Sequence, residues 1–187
     1  SARDTILNEY NNILKNRDEE SIKKLFGFKK FSDCLPYIND IFDSPLMCAI
    51  ERYDGVAYDY LDFNSLDEID KEYVKSNTTI FSNLYGPLLG GDTIANYKIK
   101  QGNNIGEFMP DKFYRDRFSY QLDLYLANSD GKAVSHWAKA YRGLVLRYAA
   151  QNNISSIGEF MCLEIENLMV KEILKKGFST EIVYEIK

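Results

Sequence analysis

Lys139 and Arg142 stand three residues apart in Ala138-Lys139-Ala140-Tyr141-Arg142-Gly143. On a helix, that spacing puts both cations on one face, with Trp137, Tyr141 and Leu144 on the other. Arginine forks two hydrogen bonds onto a phosphate, and lysine adds a point charge. The pair falls in the first turns of an expected helix, where the backbone dipole also favours an anion. Gly143 would let a second backbone or a ligand come close. The plainer reading is that both cations pair with acids of the surface.

The charge pattern around them favours the anion. From Gly131 to Gly158 there is no Asp or Glu, while Lys132, Lys139, Arg142 and Arg147 are present. From Ser76 to Gly106 only Asp92 opposes Lys98 and Lys100. The two stretches together hold six bases and one acid, net +5, and the rest of the chain holds 17 bases and 27 acids, net -10. An acidic surface that stops at two places suggests that those places meet an anion. Tyr85, Tyr97 and Trp137 are candidates to stack on bases beside these charges, although core packing is the ordinary use of each. Lys23, Lys24, Lys29 and Lys30 form a further basic cluster, read as a solvated helix face.

Other chemistries find less support. The chain has a single histidine, His136, with no Ser or Cys at catalytic spacing, so it reads as a structural or hydrogen-bonding residue. There is no HExxH and no Cys/His cluster, and no metal or cofactor is expected. Leu89-Gly90-Gly91-Asp92 lacks the Lys-Ser/Thr ending of a phosphate-binding loop. Asp59, Asp62 and Asp67 offer hard oxygen ligands for iron, but nothing in their spacing fixes a geometry. Cys34, Cys48 and Cys162 are an odd, widely spaced set, which predicts a reducing, intracellular setting. No apolar run is long enough to span a bilayer, so no membrane partner is expected. The start at Ser1, without Met, reads as a cloning remnant or as missing earlier residues.

The elements that must position these residues follow from periodicity and punctuation. Helices are predicted over Arg3–Lys15, over Glu19–Phe26 between an Asp18 cap and Gly27, and over Ser32–Asp40, broken near Pro36. Another runs from Ser44-Pro45 through Arg52. Gly55-Val56-Ala57-Tyr58 reads as a strand, and Ser65 with Glu68 reads as a capping box for Leu66–Lys75. Thr78–Phe81 reads as a buried strand, Leu84–Asp92 as an irregular loop, and Tyr97–Lys100 as a strand before a Gly102-Asn103-Asn104 turn. Asp111–Ala127 reads as a long amphipathic helix and Asn128–Lys132 as a turn. Val134–Trp137 reads as a strand leading into helix Ala138–Gln151. Ser155 or Ser156 caps a helix over Ile157–Lys176, and Glu181–Ile186 alternates as a final strand. The sum is a single domain over residues 1–187 of mixed α/β (α+β) class, with short strands among more numerous helices.

Several of these residues together resemble the YaaA family of bacterial peroxide-stress proteins. They are Leu84-Tyr85-Gly86-x-Leu88, then Asp92 and Tyr97-Lys98, then Ala138-Lys139-x-x-Arg142-Gly143, with Asp54-Gly55-Val56-Ala57-Tyr58 similar to the family's Gly-Asp-Val-Tyr strand. The chain departs from the family in lacking an opening strand with Ser-Pro-x-Lys, and in having Leu89-Gly90 for Arg-Pro, Lys98 for Arg and Trp137 for Tyr. The family also has a further stretch between Asp130 and Gly131. A shortened protein is therefore expected, or one missing residues before Ser1 and between Asp130 and Gly131.

The resemblance implies a cytoplasmic protein that limits peroxide damage, with lowered free iron, protected DNA and duplex DNA held in a basic cleft. It also implies a helix-hairpin-helix element, for which the helices joined at Asn16-Arg17-Asp18 are the available counterpart, without the usual Gly-x-Gly. The expected anion-binding set is Tyr97, Lys98, Lys100, Lys132, Lys139 and Arg142, lined by Tyr85, Asp92, Trp137 and Gly143. The alternative is an enzyme acting on a nucleotide or a small phosphorylated ligand, with Asp92 or Tyr97 as acid/base and Lys139 and Arg142 as the phosphate clamp.

Overall fold

Ile6, Leu7, Tyr10 and Leu14 recur at helical spacing, and they form the buried face of α1 (Ala2–Asn16) in the computed structural model of the protein. The structure describes residues 2–115, 122–127, 135–176 and 179–186. The chain divides into two compact units. One is Ser1–Arg52 with Thr78–Phe118, and the other is Tyr53–Asn77 with Ser119–Lys187. Helices and short strands are mixed in both, an α+β class. Among the described residues, no helix is long and apolar enough to cross a membrane.

In the first unit, Asp18 Oδ2 accepts from Ser21 N–H at 3.0 Å and starts α2 (Glu19–Phe26). Gly27, at φ 77°, ends it. Phe31–Tyr37 forms a 3-10 helix rather than an α-helix. The helix expected from Ser44-Pro45 to Arg52 is split into β1 (Leu46–Cys48) and α3 (Ala49–Arg52). The reason is long-range pairing. Leu46–Cys48 run antiparallel to β4 (Thr93–Ala95), and the first amides of α3, on Ala49 and Ile50, donate to Asp92 and Gly90 carbonyls at 2.7 and 2.9 Å. β2 (Thr79–Ser82) and β3 (Gly86–Leu89) form a hairpin, so the stretch expected as an irregular loop contains a strand. Tyr97–Lys100 lies outside any strand. α6 (Pro110–Arg115) covers the start of the expected long helix.

In the second unit the expected strand at Gly55–Tyr58 is α4 (Val56–Leu61), entered through Gly55 at φ 116°. α5 (Glu68–Asn77) is capped by Asp67, whose Oδ1 accepts from Asp70 N–H at 2.8 Å. Ser65 therefore does not start that helix. The last six residues of the expected helix at 111–127 form β5 (Leu122–Ala127). α7 (Ser135–Gln151) begins where a strand is expected, and α8 (Ile157–Met161) is closed by a capping box of Ser156 and Glu159. It stops after five residues, and Leu168–Lys176 is a strand, β6. β7 (Ser179–Ile186) lies central in the order β5-β7-β6, parallel to β5 and antiparallel to β6.

A bulge between Val170 and Glu172 explains why β6 resembles a helix in sequence. It inserts one residue into the alternation, so Leu168, Val170 and Ile173 all pack on one core with Val145, Ile165, Ile182 and Tyr184. Spacings of 2 and 3 in place of a strict 2 imitate a helical stripe. The turn expected at 128–132 and the junction near 130/131 lie outside the described residues.

Candidate anion-binding site

α7 is covered on two sides. Ala138, Tyr141, Leu144, Val145 and Tyr148 pack toward the sheet. Gly143 faces α4 so closely that a Cβ there would fall inside the Ala57 carbonyl and stand 2.8 Å from Leu61 N. Four residues on, Arg147 donates to Leu61 O at 2.9 Å, Asp62 O at 3.2 Å and Ser65 Oγ at 2.8 Å. Gly143 thus serves a close helix crossing. Arg147, one of the cations without an acid nearby in sequence, caps the carbonyl end of α4, where Asp62 turns at φ 46°. Asp62 lies 3.8 Å from the same guanidinium, and Asp67 is spent as a helix cap.

What remains of α7 is a stripe carrying Lys139 and Arg142. Both are exposed. Among the described residues neither makes an ion pair or a hydrogen bond. The pairing with surface acids that would have made them ordinary is therefore absent among those residues. His136 and Trp137 belong to α7 by backbone, and their side chains lie outside the described residues, as does Lys132.

The first unit carries Tyr85, Asp92, Tyr97, Lys98 and Lys100, and here each is held. Ser82 Oγ accepts from Leu84 N–H at 3.1 Å and Tyr85 N–H at 2.9 Å. With both lone pairs used, its proton goes to Tyr97 Oη, 2.8 Å away. Tyr85 is buried, accepts from Ala95 N–H at 3.3 Å and meets the Tyr97 ring edge-on at 5.4 Å. Gly86 sits at φ 72° under the ring of Tyr114, whose hydroxyl donates to Leu84 O at 2.9 Å. The Leu84-Tyr85-Gly86 turn is thus fixed by its own side chains. Asp92 Oδ2 accepts from Leu89 N–H at 2.9 Å, which stitches the turn between β3 and β4.

Lys98 is held at both ends. Its N–H donates to Tyr10 Oη at 3.2 Å, and that hydroxyl donates to Lys98 O at 3.4 Å. Its ammonium lies 5.6 Å from the Phe28 ring centre and 5.9 Å from that of Tyr37. Burial pushes the Tyr10 phenol far above its ordinary value, so it stays neutral and can act as donor and acceptor at once. Nothing in the sequence flags Tyr10 for this role, because the contact spans 88 residues. Lys100 N–H donates to Leu25 O at 3.0 Å, and the lysine's side chain is exposed.

The family model described as peroxide stress protein YaaA matches residues 2–128. The chain belongs to that family. Membership carries a role in peroxide stress, in agreement with the resemblance read from the motifs. An uncharacterised protein of Campylobacter jejuni is 37% identical over 207 residues, covering 96% of this chain and 84% of its own length. A UPF0246 protein of Finegoldia magna is 35% identical over 133 residues, covering 66% of this chain and 53% of its own. A UPF0246 protein of Francisella tularensis is 29% identical over 139 residues, covering 68% and 54%. The chain thus spans about half the length of the last two relatives.

Proposed function

We propose that this protein serves in peroxide stress by binding duplex DNA, with Lys139 and Arg142 of α7 as its principal phosphate contacts. Bound duplex is shielded from iron-driven oxidative damage. The observation that carries the reading is the bare stripe of α7: two exposed cations, one turn apart, with no acid paired to them among the described residues. Tyr97, Lys98 and Lys100 belong to the first unit and Lys132 lies outside the described residues, so the reading rests on Lys139 and Arg142. The chain's acidic balance, net -5, confines such binding to places where cations are gathered.

Binding of this kind is electrostatic, indifferent to sequence and steeply weakened by salt. A duplex of about 20 base pairs should shift in a low-salt gel assay, and Lys139→Ala with Arg142→Ala should abolish the shift. Undiminished binding by that double variant removes the proposal.

A further inference from the structure

The lysine cluster at the end of α2 looks in sequence like a solvated helix face, and Lys23 fits that reading through its pair with Glu20. The rest of the cluster meets a second set of cations in the folded unit. Lys100 lays its aliphatic stem across Gly27, so closely that a Cβ there would stand 2.6 to 3.0 Å from the stem carbons. Lys98 places its ammonium on Phe28 and Tyr37. The Gly27–Phe28 turn therefore gathers Lys24, Lys29 and Lys30 from one part of the chain and Lys98 and Lys100 from another. Lys24, Lys29, Lys30 and Lys100 are exposed. None of the five is ion-paired with a carboxylate among the described residues.

The carbonyl end of α2 would be the ordinary reason for cations here, but three of its last four carbonyls are already hydrogen-bonded. Lys23 O accepts from Gly27 and Phe28 N–H, Lys24 O from the Asn103 amide, and Leu25 O from Lys100 N–H. Asp33 and Glu20 flank the patch, but they are engaged by Ser32 Oγ and Lys23 rather than by these five lysines. Like charges left without paired acids repel one another, and a polyanion relieves that repulsion.

We propose that Lys24, Lys29, Lys30, Lys98 and Lys100 form a polyanion-binding surface within the first unit, whose ligand is the phosphodiester backbone of duplex DNA. The patch is all lysine. Point charges without an arginine fork suit contacts that follow a backbone rather than grip one phosphate. The choice of DNA rests on the function proposed above, and the lysine geometry does not.

The test compares three proteins on one duplex of about 20 base pairs over a salt series: the unaltered chain, Lys139→Ala/Arg142→Ala, and Lys24→Gln/Lys29→Gln/Lys30→Gln/Lys100→Gln. A triple variant keeping Lys100 guards against any loss of packing on Gly27, and thermal melts check folding. The expected result for the patch variant is binding about tenfold or more weaker, with a salt slope shallower by about 0.9 for each phosphate no longer neutralised. Affinity and slope equal to those of the unaltered chain overturn the patch and leave the α7 reading intact. Weakened binding by the patch variant with full binding by the α7 variant overturns the α7 reading and supports the patch. No binding of duplex by the unaltered chain overturns both. Binding to phosphatidylserine vesicles without binding to duplex overturns DNA as the ligand.

Discussion

The two units solve the problem of displaying positive charge in different ways. In the first, polar side chains fasten irregular backbone. Tyr10 holds Lys98, Ser82 holds the turn at Leu84 and Tyr85, and Asp92 holds Leu89. The cations ride on that fastened backbone, one of them seated on aromatic rings. In the second, close packing sets the display. Gly143 admits the α4 backbone, apolar residues meet the sheet, and Lys139 and Arg142 are what the packing leaves uncovered. A surface fastened by hydrogen bonds should tolerate loss of one side chain at moderate cost. A surface created by close packing should fail when the glycine at its closest approach is enlarged.

The largest effect should therefore come from Gly143→Ala. The added methyl meets main-chain atoms of Ala57, which cannot turn aside as a flexible side chain can. We expect a loss of about 3 kcal/mol, read by urea unfolding. A loss below about 0.5 kcal/mol would mean that α4 and α7 are not held in this register, and the comparison would fall.

Next come two arginines of one helix. Arg147→Ala strips the carbonyl end of α4 of a charged donor with three partners, and should cost about 2 kcal/mol. Arg142→Ala removes an exposed side chain without partners among the described residues, so stability should stay within about 0.5 kcal/mol. Equal losses in the two variants would show that Arg142 is fixed after all.

The smallest effects sharpen the contrast through two buried tyrosines. Tyr10→Phe leaves the Lys98 N–H and C=O to water and should cost about 1 kcal/mol. Tyr184 is as deeply buried, but its hydroxyl has no partner among the described residues. Tyr184→Phe should be neutral or slightly stabilising. It should also blunt alkaline unfolding. Burial pushes the Tyr184 phenol up to about 12, against about 10 for an exposed tyrosine. The folded unit keeps a proton that the unfolded chain releases. That part of the stability is intact below about pH 10 and drains away as pH rises toward about 12. Unfolding curves taken across that range measure it, and an unchanged alkaline loss in Tyr184→Phe would assign the loss to other groups.

Local signals in the sequence agree with the structure. Asp18 and Gly27 bracket α2, Ser156 caps α8, and the stripe of α1 is its buried face. Each of these depends on residues within one or two turns of one another. Two of the departures fall on strands whose partners are distant. Leu122–Ala127 pairs with residues 180–185, and Leu46–Cys48 pairs with residues 93–95. The candidate site divides in the same way. Lys139 and Arg142 share a helical face by spacing alone, while the use of Arg147 as a cap on α4 depends on partners 85 and 86 residues away.

The sequence by itself therefore determined the caps of α2 and α8, the stripe of α1, the segregation of charge and, through short motifs in order, the family. Only the tertiary structure decided which cations are spent and which stay bare. Sequence records which side chains are charged, and a charge is neutralised or exposed by whatever the fold brings within a few ångströms of it. Gly143 is the clearest instance. The sequence left it open to a ligand or to another backbone, and the packing of α7 on Ala57 gave that space to the backbone.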